Sequence, residues 1–387
     1  MPSERPGPTA SPLAGATAMS PGGVLTLGGA RLPLAVPARL YVCGITPYDV
    51  THLGHAATFV WVDVAARVMR MAGTATVVAR NITDVDDVLT RAATVRGRHY
   101  DEFGLEQEFY FDRDMDALRV RSPDHVPRAR HHITHVVRLA AALLEAGAAY
   151  ERDGHVFFHG ATVPKLAGLT EPVALELSRE YGDRPDDQLR DSPLDVPVWH
   201  PSSDGDPAWP SPWGPGRPGW HAECAAMALA SLGGLVDVLA GGADLAFPHH
   251  AYQVAMACAA TGTTPFARRR MPVGTVGLRG AKMAKSTGNL VLVGDLLRQH
   301  SGPAIRLMLL DRRWEQGWDY QPEALDAAAS VLEELYAAAG IRTGSQAGVA
   351  AVRAALLDDL DVSTAVRTAV DAGGEAARLV IRTLALQ

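Results

Sequence analysis

Tyr41-Val-Cys-Gly-Ile-Thr-Pro-Tyr-Asp-Val-Thr-His-Leu-Gly-His55 is the stretch whose reading decides the fold. An apolar strand ends at Cys43, a Gly/Pro turn follows, and two histidines three residues apart open a helix that runs through Thr58 to Arg70. The first turn of a helix presents free N–H groups and the positive end of its dipole, so a polyphosphate fits there. His52 and His55 add donors for charge that develops on a transferring phosphate. Taken alone, the same two histidines fit an ordinary helix cap equally well.

Working outward, Thr74-Ala-Thr-Val-Val-Ala79 is a β-branched run that reads as a second buried strand. Strand, helix and strand in that order make a parallel βαβ unit. Asn81-Ile-Thr-Asp-Val-Asp-Asp87 then falls at the C-terminal end of a strand, where open α/β sheets hold their ligands. Asp84 to Asp87 read equally well as a capping run for a helix beginning near Val88. Upstream, residues 1–22 are rich in Pro, Ala, Gly and Ser and are expected to be disordered. Val24 to Val36 reads as a hairpin turning at Gly28-Gly29.

The expected fold is α/β, a doubly wound parallel sheet whose first half spans 23–111. An inserted α+β subdomain at 112–215 interrupts it, with helical periodicity over Tyr100 to Arg119 and Val126 to Ala149 and a hairpin around Asp153-Gly154. The Pro-, Asp- and Ser-dense stretch from Pro185 to Pro218 makes long loops of the kind that carry function or disorder. The sheet resumes over 216–292, with strands at Leu235 to Leu239 and Val273 to Leu278. From 293 to 387 the chain reads as a C-terminal helical region with a turn at Gly302-Pro303.

With 387 residues, 47% of them hydrophobic, the chain can bury a sizeable core in about two or three domains. A net charge of −7 gives no broad electrostatic footprint for nucleic acid or anionic membrane. Arg268 to Arg270 is the one candidate for a local basic patch. No basic start leads into an apolar run, and no apolar stretch reaches the roughly eighteen residues of a membrane span, so a cytoplasmic protein is expected. Cysteines at 43, 224 and 258 are too few and scattered for a disulfide framework and read as ligands or packed thiols. Lysine occurs only at 165, 282 and 285. In a chain that otherwise uses arginine, the pair in Lys282-Met-Ala-Lys-Ser286 suits a compact ammonium at a phosphate.

A glycine-rich approach leads to Trp220-His-Ala-Glu-Cys224, and Gly241-Gly-Ala-Asp-Leu-Ala-Phe-Pro-His-His250 leads to a further helix, so Cys224 and His249 each fall in the first turn of a helix. With Cys43 they make two thiols and an imidazole, a set that suits Zn²⁺ and leaves a fourth tetrahedral position open. Cys43 and Cys224 are equally well explained as small buried apolar residues. A substrate thiol at the open position would be favoured over an isosteric hydroxyl, giving selectivity against serine. Packing is the default for Cys258.

These motifs together resemble a known family. Thr51-His-Leu-Gly-His55 is similar to the H-I-G-H signature, and Lys282-Met-Ala-Lys-Ser286 to the K-M-S-K-S signature, of class I aminoacyl-tRNA synthetases. The C-G-I-T-P-Y-D, N-I-T-D-V-D-D, G-W-H-A-E-C and F-P-H-H stretches narrow this to the cysteinyl-tRNA synthetase-like group, over residues 24–320. Within it, Ile45 and Pro47, Gln253 in place of a carboxylate ligand, and Glu180, Gly182 and Pro185 in a partly matched E-R-G-G-D-P motif look most like the mycothiol cysteine ligase family. The resemblance implies a Rossmann-like catalytic domain that joins L-cysteine to the amine of an amino-sugar inositol, glucosaminyl-inositol, using ATP with Mg²⁺. It implies one Zn²⁺ on Cys43, Cys224 and His249. Gly44, Ile45, Thr46, Thr58, Asn81, Ile82, Thr83 and Trp220 would surround a cysteinyl-adenylate, with Gly242, Ala243 and Asp244 at its ribose and Val276 at its adenine. His52, His55, Lys282 and Lys285 would stabilise the phosphates, with Ser286 closing the motif. Ala284 stands where the motif usually has serine, with a moderate loss of loop ordering expected. No tRNA and no membrane are expected as partners, and the chain is expected to be a monomer. Two other readings stay open: a short cysteinyl-tRNA synthetase, and a non-catalytic zinc- and nucleotide-binding relative.

Overall fold

The computed structural model describes residues 24–48, 51–203, 206–283 and 288–387. The segment 1–22, expected to be disordered, lies outside the described residues, as do Ala284, Lys285 and Ser286. Among the described residues the centre of the fold is a four-stranded sheet. Its strands are β1 (Ala38–Ile45), β2 (Thr76–Ile82), β3 (Val236–Gly242) and β4 (Ala267–Val273), in the order β4-β3-β1-β2 and parallel throughout. Helix α1 (Leu53–Met71) carries the chain from β1 to β2. Helix α2 (Trp220–Leu232) precedes β3, and α3 (Ala251–Thr261) connects β3 to β4.

Alternation along β1 sorts its side chains between the two faces of the sheet. Leu40 and Val42 join the core built with α1, whereas Tyr41 and Cys43 join the core built with Met227 and Ala228 of α2. Both faces are covered, which is why the strands read as continuous apolar runs. Helix α1 is also buried on its far side, with 14 of its 19 residues inside, because the C-terminal helices Gly302–Leu310, Pro322–Ala339 and Gly374–Leu384 share its core. Each fully buried large apolar side chain of this kind contributes about 1.5–3 kcal/mol.

The inserted region is a four-stranded antiparallel sheet of Ala149–Arg152, His155–Phe158, Val196–Pro201 and Gly216–Pro218, packed with helix Ile133–Glu145. Helix Tyr100–Ala117 leads towards it, and its last strand runs directly into α2 at Gly219, where an added Cβ would stand 1.9 Å from the Pro197 carbonyl oxygen. The hairpins at Gly28-Gly29 and Asp153-Gly154 form as the turn residues predict.

Three readings need correction. Arg268 to Arg270 lie within β4 and are no free basic patch: Arg268 pairs with Asp237 at 3.3 Å and Arg269 donates to the Arg31 carbonyl at 2.7 Å. The single strand read at Val273 to Leu278 is two elements, β4 and Val276–Leu278, the second pairing with Trp318–Asp319. Gly302-Pro303 is a helix start and not a turn: Ser301 caps it by accepting from Ala304 N–H at 3.3 Å, and proline is tolerated in a first turn.

Candidate active site

The ends of β1, β2 and β3 open into a cavity of about 990 Å³, at the upper limit of small-molecule pockets. It lies where β1 has neighbours of opposite connection on its two sides, the place where open α/β sheets bind ligands.

At the α1 end of the cavity, His52 is the cap of α1, in an extended conformation, and its Nδ1 accepts from Gly54 N–H at 3.2 Å. The His52 and His55 rings stack with centroids 3.9 Å apart. The capping reading and the phosphate reading of these histidines are therefore compatible in one geometry. The chain from Leu290 onward returns to this same helix start: Leu53 N–H donates to Val291 O at 3.0 Å and Val293 N–H to Thr51 O at 3.1 Å. Lys282 sits on the short strand Ala281–Lys282, and its ammonium is held by Asp244 Oδ2 at 2.8 Å, over the Tyr181 ring at 5.8 Å.

At the thiol end, the pairing of β1 with β2 shifts register between Val42 and Ile45. Gly44 lies in that irregularity, its N–H donating to Asn81 Oδ1 at 3.0 Å, and a Cβ there would stand 1.8 Å from the Asn81 carbonyl oxygen. Cys43 faces α2 as a result, and the ligand atoms of Cys43, Cys224 and His249 all lie within 4.8 Å of one another, fully buried. Cys224 is in the second turn of α2 and His249 in the turn before α3, one turn from where the sequence placed each. Burial pushes the Cys224 thiol up, with Cys43 adding to the shift, and pushes the His249 imidazole well below its usual range. A neutral imidazole presents a lone pair, and a Cys224 thiol that resists ionisation calls for a cation to become a thiolate. This donor set fits Zn²⁺.

The neighbours of these three residues hold them in place. Asn81 Nδ2 donates to Cys224 Sγ at 3.3 Å, Cys43 Sγ faces Gln253 Oε1 at 3.5 Å, and His221 Nδ1 meets His249 Nδ1 at 3.0 Å. The Trp220 ring stacks on His249 at 4.1 Å. Thr46 and Thr83 hydroxyls bond at 2.6 Å, and Thr58 donates to Gly54 O at 3.4 Å. Gly44, Ile45, Thr46, Thr58, Asn81, Thr83, Gly242, Asp244 and Val276 line the cavity with these groups, as do Glu180 and Gly182. Ile82, Ala243 and Pro185 are not among the lining residues, and Ile82 is wholly buried in the sheet.

Several lining groups were not singled out in the sequence. Tyr181 donates its hydroxyl to Asp244 O at 2.8 Å and stacks on Trp220, which ties the Glu180–Pro185 segment to the end of β3 and the start of α2. Its signal was an aromatic residue inside a motif matched only at its other positions. Glu223 and Arg217 are buried and line the cavity, and both stand in the glycine-rich approach to α2. The Asp84 to Asp87 run divides: Asp84 is buried against Arg128 and Arg130 at 3.2 and 2.6 Å, and Asp86 caps the next helix by accepting from Val88 N–H at 3.0 Å.

A family model described as the class I (C) tRNA synthetase catalytic domain matches residues 35–330. The chain belongs to that family. Among relatives of this class I synthetase-family chain, an L-cysteine:1D-myo-inositol 2-amino-2-deoxy-alpha-D-glucopyranoside ligase from Frankia casuarinae is 44% identical over 321 residues, covering 82% of the chain and 69% of the relative. Six further relatives with that name are 41–44% identical. A cysteine–tRNA ligase of Legionella pneumophila is 41% identical over 308 residues, covering 77% of the chain and 65% of the relative. Methionyl-tRNA synthetase of Mycobacterium tuberculosis, solved with methionyl-adenylate, superposes with a TM-score of 0.62 at 19% identity over 91% of this chain and 82% of its own, which establishes the shared fold. The chain is a ligase of this synthetase family, and no helix among its described residues is long and apolar enough to cross a membrane.

Proposed function

We propose that the chain activates L-cysteine with ATP, in the presence of Mg²⁺, to a cysteinyl-adenylate and transfers the cysteinyl group to the amine of an amino-sugar inositol. The observation that carries this reading is the convergence of Cys43, Cys224 and His249 within 4.8 Å at the end of the same sheet whose neighbouring helix starts with His52 and His55. The names of the ligase relatives support the acceptor. A Zn²⁺ on those three residues would supply a Lewis acid that favours a thiol-bearing amino acid over serine.

The protein's own groups then have these tasks. Trp220, Gly44 to Thr46, Asn81 and Thr83 enclose the aminoacyl part, while Gly242 to Asp244 and Val276 take the ribose and adenine. The α1 N-terminus with His52 and His55 faces the phosphates, together with Lys285 and with Lys282 once ribose binding releases it from Asp244. A cysteine carboxylate oxygen attacks the α-phosphorus and diphosphate leaves. The acceptor amine attacks the carbonyl carbon of the mixed anhydride, AMP leaves with the anhydride oxygen, and the amine gives up a proton. Binding both partners side by side supplies much of the acceleration.

Cysteine-dependent exchange of labelled diphosphate into ATP tests the first half; its absence from zinc-supplemented protein would rule the reading out in favour of a non-catalytic relative. Lys285→Ala is expected to lower the exchange rate by about a hundredfold with little change in the KM for cysteine, as for a group acting on transition-state charge. An equal loss of both would assign Lys285 to binding or folding. The 41% identity to a cysteine–tRNA ligase gives the second reading, in which the terminal ribose of tRNA is the acceptor.

A further inference from the structure

The cavity extends beyond the cysteine and nucleotide ends into a lobe with two polar walls. Asp86, Asp87 and Arg91, directly after β2, form one. Arg217, on the strand leading into α2, and His200, its register partner on the neighbouring strand, form the other. Arg217 is 7% exposed, and its Nη2 lies 2.7 Å from Asp87 Oδ1 and 3.4 Å from Asp206 Oδ2. Among the described residues its Nε and Nη1 have no hydrogen-bond partner, and neither has Oε2 of Glu223, which is 1% exposed and lines the same cavity.

Buried polar atoms without partners are costly, and at a cavity wall they mark the places a ligand satisfies. Guanidinium donors set between carboxylate acceptors match adjacent hydroxyl groups, each of which donates once and accepts twice. A second phosphate suits the lobe poorly, because Asp86 and Asp87 oppose an anion; a cationic polyol does not meet that opposition. The chain also fixes where the lobe lies. Asp86 and Asp87 follow the strand end that carries Asn81 to Thr83, and Arg217 stands three residues before Trp220, so both walls continue segments assigned above to the aminoacyl group.

We propose that Arg217, braced by Asp87, is the specificity-determining residue of an acceptor subsite that binds the hydroxyls of a cationic amino-sugar polyol, with Glu223 as a second recognition group. This rests on the ligase reading given above. The test uses the full chain with Zn²⁺ and compares wild type, Arg217→Lys and Asp87→Asn in two assays: cysteine-dependent diphosphate exchange, and amide formation with glucosaminyl-inositol as the varied substrate. Both variants are expected to raise the acceptor KM by about tenfold or more, the loss of charge-assisted hydrogen bonds, while exchange stays within about twofold of wild type. An unchanged acceptor KM in both variants overturns the proposal. A parallel fall of exchange and amide formation in both also overturns it, since Arg217 would then hold the nucleotide end together. Wild-type protein that shows no exchange would overturn the ligase reading itself, so the two failures are distinguishable.

Discussion

Cys224 and Gly44 carry the most constrained chemistry at the scale of single residues. Cys224→Ala is expected to lose stoichiometric zinc and cysteine-dependent exchange together, measured by metal analysis and isotope exchange on the same preparation. Zinc retained at one per chain would contradict the three-ligand set of Cys43, Cys224 and His249. Gly44→Ala places a methyl 1.8 Å from a strand carbonyl that cannot move without unpairing β1 from β2. A loss of about 1–3 kcal/mol in denaturant unfolding is expected, with exchange activity falling further because Cys43 is displaced with the strand. The convergence of Cys43, Cys224 and His249 was legible because they stand in short stretches that resemble a family's motifs. Glu223 and Arg217 were not, because only the fold decides that a glutamate beside a ligand and an arginine in a glycine-rich approach end up buried with open hydrogen-bonding atoms.

Two elements are tied to the rest of the molecule by buried polar side chains. Arg306, on helix Gly302–Leu310, is fully buried and contacts Asp63 of α1, Leu118 O at 2.9 Å and the Leu384 carbonyl, so one guanidinium joins the sheet helix to the C-terminal helices. Its removal takes one of two guanidinium partners from the buried Asp63, Arg67 at 2.7 Å remaining, and leaves the Leu118 and Leu384 carbonyls without this donor. Arg306→Ala is expected to cost about 3–5 kcal/mol in denaturant unfolding, and a loss under about 1 kcal/mol would show that the pair contributes no more than an exposed one. In the inserted sheet, Tyr150 donates to Asp195 Oδ2 at 2.9 Å and accepts from Asp191 N–H at 2.7 Å. Burial first, and then the Asp195 carboxylate, push its phenol up to about 12. The folded state thus holds this proton more tightly than an unfolded chain, whose tyrosines titrate near pH ~10. The stabilisation is complete below that pH and is lost as pH rises towards about 12. Tyr150→Phe should flatten the fall of Tm over that window; an identical profile would show that this phenol does not govern it. Element by element, the βαβ start and both hairpins were legible from periodicity and turn residues. Strand β4 was not, because three consecutive arginines break an apolar pattern that Asp237 and a backbone carbonyl restore in three dimensions.

At the scale of the whole molecule, one cavity is shared by the sheet ends, the inserted region and the segment after β4, so the candidate site draws on parts distant in sequence. The family assignment was within reach of the motifs. The acceptor was less so, since both ligase and tRNA-ligase relatives stand at similar identity and the motif that distinguishes them matches only at Glu180, Gly182 and Pro185. The Tyr181 contact to Asp244 gives that segment a physical role that a count of matching letters hides. The central claim is therefore the nature of the acceptor. Purified protein given ATP, Mg²⁺, cysteine and either glucosaminyl-inositol or tRNA, with products resolved by mass spectrometry, tests it most directly. A cysteinyl amide of the amino sugar with AMP in equal amount, and no cysteinyl-tRNA, is the predicted result; cysteinyl-tRNA with no amide would contradict it.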